Sequence, residues 1–585
     1  MKNFFVSFFA SLLAFFVFCL IGFFLLIGIA ASFSSEEPKV VASNSVLVLD
    51  LSNQFLEQVQ NDPITEIVNK KNGKSPSLSE LIRLIAYAKK DDAIKGIYIK
   101  CQQNPNGYAA SEEIRKALLD FSSSQKFVIA YGETITQKAY MVANAANAIY
   151  THPQGGLEWN GFSYESLFMK GLLDKLEIQP QVFYAGKFKS ATEPFRYTQM
   201  SEANKLQTNV WLSGLYDQFI SNTAKQRNLN ADSLKYLANQ GSIQTAFDAN
   251  QHGLVDGLLY DDQVKKIIAK KLRQDDQKDI AFLSMGDYAS TVALRGTGSG
   301  KVALVYADGD VVMGKNQQGS IASDDFRVLL QKIRKDASID AVVLRVNSPG
   351  GSALASDIIW REIDLLKKEK PVVVSMGDVA ASGGYYIACG ADSIFANAGT
   401  ITGSIGVFTV IPNVKGLMNN KLGISFDGVK TGPYADMPST TRPLNETEQK
   451  FMQSGVDSIY HTFKSRVAAG RKKSIEYIDS IAQGRVWIGA DAIKIGLVDR
   501  IGTLNDAIAS AAKMAKLKGY GIKAYPESKS FIESFMEEYK ETAKVKAIKE
   551  EIGAKQFDLL KQMKSIQQMM GVPQTRLPIF VVNQP

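Results

Sequence analysis

The sequence predicts an α/β protein made of two tandem copies of one domain behind an N-terminal transmembrane helix. Three observations carry this. Short β-branched runs alternate with helical stretches at the spacing of βαβ units, which build a mostly parallel sheet. The same order of elements returns after Gly300. Between Asn3 and Ser35 there is no charged residue.

Composition sets the outer limits. At 585 residues the chain is too long for a single core. The net charge of +8 is small for this length, and no dense Lys/Arg block precedes the C-terminal tail, which argues against nucleic acid as a partner. Cys19, Cys101 and Cys389 are scattered, as are His152, His252 and His461. No disulfide framework or metal-ligand spacing follows, and no cofactor is expected.

Residues 1–36 come first. Phe4 to Ala31 is nearly all Phe, Leu, Ile, Val, Ala and Gly, longer than the roughly 20 residues a spanning helix needs. Ala30-Ala31-Ser32 is small enough for signal-peptide cleavage, the plainer alternative. The apolar region of such a peptide runs only about 7–15 residues, so an uncleaved, single-pass signal anchor is expected. Lys2 and the amino terminus favour a cytoplasmic N-terminal end, with Glu36 and Glu37 on the far side.

Residues 45–300 form the N-terminal domain. Ser45 to Leu51 reads as a strand, Ser77 to Lys89 as a helix, and Ile94 to Lys100 as a strand. A helix from Ala110 to Phe121 and a strand at Phe127 to Tyr131 follow. Residues 301–520 repeat the pattern. Lys301 to Ala307 is a strand, Asp324 to Lys335 a helix and Ala341 to Val346 a strand. Then comes a helix with Leu354, Ile358, Ile359, Ile363 and Leu366 on one face, and a strand at Pro371 to Met376. Ile94 and Ile339, Ser111 and Ser356, Gly132 and Gly377, Gly171 and Gly416 are each 245 apart, and Gly253-Leu254-Val255-Asp256 returns as Gly496-Leu497-Val498-Asp499. The chain is a duplication of a unit of roughly 200 residues.

Each copy lacks something the other has. In Gly377-Asp378-Val379-Ala380-Ala381-Ser382-Gly383-Gly384-Tyr385, Ser382 sits at a strand-to-helix turn with two glycines behind it. Those glycines let the chain turn sharply and leave no side chain over the hydroxyl. Ser382 is placed for nucleophilic attack, and the Gly383 N–H for holding an oxyanion. In the first copy these positions are Gln137 and Lys138. Conversely, Lys187 and Lys189 in Tyr184-Ala185-Gly186-Lys187-Phe188-Lys189-Ser190-Ala191 have no lysine in the equivalent stretch, where Lys189 falls on Ala435. Serine in one copy and lysine in the other suggest one composite site.

A serine needs a base, and a buried lysine becomes one because burial disfavours its ammonium form. Periodicity does not choose between Lys187 and Lys189, which share a face of an extended segment. In Asn347-Ser348-Pro349-Gly350-Gly351-Ser352, the N–H of Gly350 or Gly351 can complete an oxyanion hole with Gly383. The Ser404 hydroxyl in Thr402-Gly403-Ser404-Ile405-Gly406 is a candidate for orienting the lysine.

These motifs resemble the signal peptide peptidase A (protease IV) family, peptidase family S49, in its long double-domain form. The likeness runs from the anchor to about Ala507 and is strongest over Arg345 to Gly406. It implies a ClpP/crotonase-type fold and a serine endopeptidase working with a Ser/Lys dyad. The family's catalytic lysine directly precedes Ser-Ala, which selects Lys189 over Lys187. It further implies a homo-oligomer, a tetramer in long forms, on the periplasmic side of a bacterial inner (plasma) membrane. Its active sites would line a bowl open to that membrane. The implied substrates are remnant signal peptides and other apolar peptides. An acyl-CoA-processing crotonase relative and an inactive membrane scaffold are the alternatives. The tail, residues 521–585, is rich in Lys, Glu, Met and Gln from about Glu527 to Met570. It reads as an amphipathic helix packed on the protein or a neighbouring subunit rather than on a membrane.

Overall fold

A computed structural model of the chain describes residues 2–34, 41–58, 75–275, 277–292, 298–315, 319–527 and 573–576. The first copy contributes β1 (Ser45–Asp50), β2 (Ile94–Lys100), β3 (Phe127–Ile135), β4 (Ala148–Leu157), β5 (Gln179–Ala185), β6 (Gly257–Leu258) and β7 (Phe282–Ser284). Among the described residues, all of these but β5 form a parallel sheet in the order β6-β4-β3-β2-β1-β7. Its central strands are largely apolar because helices cover both faces, as parallel sheets require. Leu47, Ile97, Val128 and Ile149 lie in that core with no exposure. The helix Leu78–Ala88 starts where the sequence reading put it, at a capping box: Ser77 Oγ accepts from the Glu80 N–H, and Glu80 accepts from the Ser77 N–H.

The second copy begins with β8 (Gly300–Asp308), β9 (Asp310–Val312), β10 (Ser320–Ala322), β11 (Ala341–Ser348) and β12 (Gly350–Ser352). It continues with β13 (Val372–Ala381), β14 (Ser393–Ala396), β15 (Ile401–Gly403), β16 (Val407–Asn413), β17 (Val486–Ile488), β18 (Arg500–Ile501) and β19 (Tyr520–Tyr525). The main path of its sheet is β17-β15-β13-β11-β8-β19, and β14 and β18 branch from β13. A third sheet, β10-β9-β12-β20-β16-β5, closes with β20 (Gln574–Arg576) from the tail. In it β5 of the first copy runs antiparallel to β16 of the second, Val407 opposite Ala185 and Asn413 opposite Gln179. That pairing carries the end of β5 across to the second copy.

The duplication holds at the level of single hydrogen bonds. Tyr140 Oη donates to the Leu254 carbonyl at 2.6 Å, and Tyr385 Oη donates to Leu497 at 2.8 Å. Asp256 accepts from the Ile149 N–H and pairs with Arg227, and Asp499 does the same with the Ile394 N–H and Arg471.

One contact joins the copies where they differ. The second-copy helix Ala353–Lys367 is capped by its own Ser352, whose Oγ accepts from the Ala355 N–H. The equivalent position in the first copy is Gly107. There the helix Tyr108–Ser122 is capped by Asp378 of β13, which accepts from the Ala109 and Ala110 N–H groups at 2.8 and 3.0 Å. A Cβ on residue 107 would lie 2.0 Å from Asp378 Cγ, so the glycine makes room for the foreign cap. Asp378→Ala is expected to destabilise the protein by about 1–2 kcal/mol, the worth of an N-cap. An unchanged midpoint in calorimetric unfolding would refute this.

Two expectations need amendment. The strand before Ser382 does not stop at Met376: β13 runs to Ala381, and the register shifts between Val346 and Ser348 of β11 where Gly377 passes. Leu354 is 59% exposed, so the buried face of its helix is set by Ile359, Trp360, Ile363 and Leu366. The N-terminal segment is one helix, Lys2–Ser34, yet no helix among the described residues is long and apolar enough to cross a membrane. The helical tail expected from 527 to 570 lies outside the described residues, apart from Glu527 itself.

Candidate active site

Ser382 occupies the turn between β13 and the helix Gly383–Ala388, at φ 55° and ψ −113°. A serine in that region is strained, and it is held there by the ladder on one side and the helix on the other. Its N–H donates to the Gly403 carbonyl at 2.8 Å, and its carbonyl accepts from the Tyr386 N–H at 2.8 Å. The side chain is fully buried.

Lys189 reaches it from the first copy. Where β5 ends, Phe188 donates its N–H to the Gln483 carbonyl at 2.7 Å, and Gln207 Nε2 donates to the Phe188 carbonyl and to Ser190 Oγ. Gly484, at φ 74°, passes so close that a Cβ there would lie 2.7 Å from the Lys189 nitrogen. The lysine chain is 2% exposed. Its Nζ donates to Ser382 Oγ at 2.8 Å and to the carbonyl and Oγ of Ser404 at 3.1 Å each. Burial holds its pKa well below the usual lysine range. Lys187 is exposed, with its ammonium over the Phe188 ring. Ser382 and Lys189 of the same chain are thus within hydrogen-bond reach of each other.

The oxyanion candidates separate. The Gly350 N–H is already committed, donating to Ser348 Oγ at 3.1 Å. Gly351 and Gly383 pass close together: a Cβ on Gly383 would lie 3.0 Å from the Gly351 nitrogen. Their N–H groups remain the candidates for charge stabilisation beside Ser382 and Lys189. Ser404, at φ 49° with its N–H on the Arg485 carbonyl, touches only the lysine of this set. In the first copy the position of Ser382 is structural. Gln137 Oε1 accepts from the Asn160 and Gly161 N–H groups, and its Nε2 donates to Gly161.

Sequence reasoning missed what holds the two copies in register. Arg345 of β11, 1% exposed, donates twice to Glu57 and once to Glu113, each at 2.9 Å, and both carboxylates come from the first copy. It also missed Asp310 and the residues of β20 beside Gly350 and Gly351. No local pattern announces either.

Two α/β copies that bring a strained serine and a buried lysine together form a site of the hydrolase kind. The family model described as Peptidase family S49 matches residues 120–275 and 364–518, one stretch in each copy. The chain belongs to peptidase family S49, and it is a serine protease. "Protease 4" of Salmonella typhi is 37% identical over 473 residues, covering 79% of this chain and 76% of that protein. "Protease 4" of Haemophilus influenzae is 34% identical, covering 84% and 83%. "Serine protease SPPA, chloroplastic" of Arabidopsis thaliana is 32% identical, covering 82% and 70%. Among solved structures, a ClpP1 point mutant from Listeria monocytogenes matches 35% of this chain and 94% of its own at a TM-score of 0.24 and 17% identity, too slight a likeness to add to the fold.

Proposed function

We propose that the protein is a membrane-anchored endopeptidase whose Ser382 and Lys189 form a catalytic dyad, and that it degrades remnant signal peptides. The observation that carries the dyad is the 2.8 Å hydrogen bond from Lys189 Nζ to Ser382 Oγ inside a buried site that favours neutral lysine. Neutral Lys189 takes the Ser382 proton as Oγ attacks the peptide carbonyl. The oxyanion is held by the Gly383 and Gly351 N–H groups. The lysine then passes its proton to the leaving amine, and water, deprotonated by the same lysine, hydrolyses the acyl ester. Ser404 keeps Nζ aimed at Oγ through its two acceptors.

The anchor is supported by the surface of the helix Lys2–Ser34. Phe8, Phe9, Leu12, Leu13 and Phe16 are all exposed, so the helix is apolar on several faces. A bilayer would cover such a surface. A periplasmic site in a bacterial inner membrane, a homotetramer and a ClpP/crotonase-type fold belong to the same reading and rest on the family resemblance.

The test is hydrolysis of an apolar signal-peptide fragment and of a polar peptide of equal length by the full chain in lipid vesicles, with Ser382→Ala beside it. Preferential cleavage of the apolar peptide, lost in the variant, is expected. Equal cleavage of both would remove the signal-peptide assignment, and an active variant would remove the nucleophile.

A further inference from the structure

Lys189 reaches Ser382 from a turn, since β5 ends at Ala185 and only the short helical turns Ser190–Thr192 and Glu193–Arg196 follow. A turn leaves backbone groups to be paired from elsewhere and fixes a side chain less tightly than a strand does. One side chain of the helix Glu202–Arg227 supplies what the turn lacks. Gln207 is 2% exposed. Its Nε2 donates to the Phe188 carbonyl and to Ser190 Oγ, each at 3.1 Å, and so holds the residues before and after the lysine. Its Oε1 accepts from the Val486 N–H at 3.2 Å, a bond that also settles which end of the carboxamide is oxygen.

Val486 is where this clamp reaches the serine. It pairs with Gly403 across β17 and β15. The Gly403 carbonyl accepts the Ser382 N–H, and the carbonyl of Arg485, one residue before Val486, accepts the Ser404 N–H. One carboxamide therefore ties the backbone on both sides of Lys189 to the strand pair that holds Ser382 and Ser404. The charged groups nearby are engaged elsewhere. Glu193, the acid of the lysine's own turn, accepts from the Ser201 N–H and Oγ and from Asn204 Nδ2 at the start of the helix. Asn204 Oδ1 in turn accepts from Gln207 Nε2 at 3.2 Å, so the path from that carboxylate to the lysine turn runs through two uncharged amides. Arg196 donates to Thr192, and the Arg485 guanidinium lies over the Phe188 and Trp487 rings.

We propose that Gln207 is a positioning residue for the Ser382 and Lys189 pair: it locks the lysine turn to the strands beside the serine, and as a neutral amide it does so without placing a charge next to the base. This rests on the reading of Ser382 as nucleophile and Lys189 as its base. A carboxylate could accept the Val486 N–H equally well, but it would favour the ammonium form of the lysine and so disarm it. An apolar side chain would leave the Phe188 carbonyl, Ser190 Oγ and the Val486 N–H without this partner, and the turn would lose its register with β17.

The experiment measures the pH dependence of kcat and KM for the full chain in lipid vesicles on one apolar signal-peptide fragment, for wild type, Gln207→Met and Gln207→Glu, with Ser382→Ala as control. Gln207→Met keeps the length of the side chain and removes its hydrogen bonds. Its kcat is expected to fall roughly ten- to a hundredfold, with KM within about twofold and the pH midpoint unmoved. In Gln207→Glu the acid limb of the profile is expected to move up by about one pH unit. A residue that only supported the fold would change the amount of active protein, which alters neither KM nor a pH midpoint. With Ser382→Ala inactive, a Gln207→Met kcat equal to wild type, or a Gln207→Glu midpoint that coincides with wild type, would overturn the positioning role and leave the protease reading standing. Activity surviving in Ser382→Ala would instead overturn the nucleophile and this inference with it.

Discussion

Lys189→Met is expected to lose activity by roughly a thousandfold or more in kcat/KM while keeping the fold, an effect of about 4 kcal/mol on the transition state. Methionine fills the volume of the lysine chain but can neither accept the Ser382 proton nor deliver it to a leaving amine. The wild-type pH profile is part of the same prediction. Burial lowers the lysine pKa, so the basic form appears as pH rises through a value below the usual lysine range, and kcat/KM climbs with one proton lost and then levels off. Stability follows with a definite sign. Between the lowered folded value and the ordinary value of about 10.4, the unfolded chain holds a proton at this site that the folded chain does not, so folding stability from this group rises with pH over that window. Below it, the buried lysine costs stability, and Lys189→Met is expected to melt no lower than wild type at neutral pH. A variant with more than a few per cent of wild-type activity would end the assignment of Lys189 as the base. One that melts far lower would show that the lysine holds the junction together.

Much of this architecture is written locally. The β-branched runs that became β1, β2, β8, β11 and β13 needed only alternation with helices and glycine-rich ends to be recognised. The equal spacing of the two copies then multiplied each identification by two. The serine was legible because a nucleophile turn needs small neighbours, and Gly383 and Gly384 supply them. The lysine was legible by subtraction, as a residue one copy has and the other lacks; periodicity left two lysines, the family resemblance selected Lys189, and folding buries that one and exposes Lys187. What could not be read is set by long-range pairing. Nothing in Gln179–Ala185 says that its partner lies more than 200 residues on in β16. Nothing in the three-residue strands β9, β12 and β20 distinguishes them from turns. Leu354 illustrates a further limit. It fits the apolar periodicity of its helix by spacing, but that helix buries Ala355, Ile359, Trp360 and Ile363, a stripe turned away from it.

Arg345 is where loss of one side chain should cost most. Its guanidinium sits in β11, just ahead of the Asn347 to Gly351 loop, and donates to Glu57, Glu113, Ser375 Oγ and the Met376 carbonyl. Glu113 also accepts from Asn397 Nδ2 at 3.1 Å, so both copies contribute to one buried cluster. Burial pushes the Glu113 carboxyl up, and the arginine opposes this. Arg345→Met leaves two carboxylates inside the junction with no cation, a loss of about 3–5 kcal/mol by the usual cost of breaking a buried ion pair. Differential scanning calorimetry should find a lower midpoint. Peptidase activity should fall as well, because Ser382 and Lys189 come from the two bodies this cluster holds in register. The triple variant Arg345→Met, Glu57→Gln, Glu113→Gln separates charge from shape. With no charge left unpaired, it is expected to recover most of the lost stability. If the single variant melts with wild type, the cluster is not a clasp between the copies. If the triple variant is as unstable as the single one, directional hydrogen bonding rather than charge balance is what the junction requires.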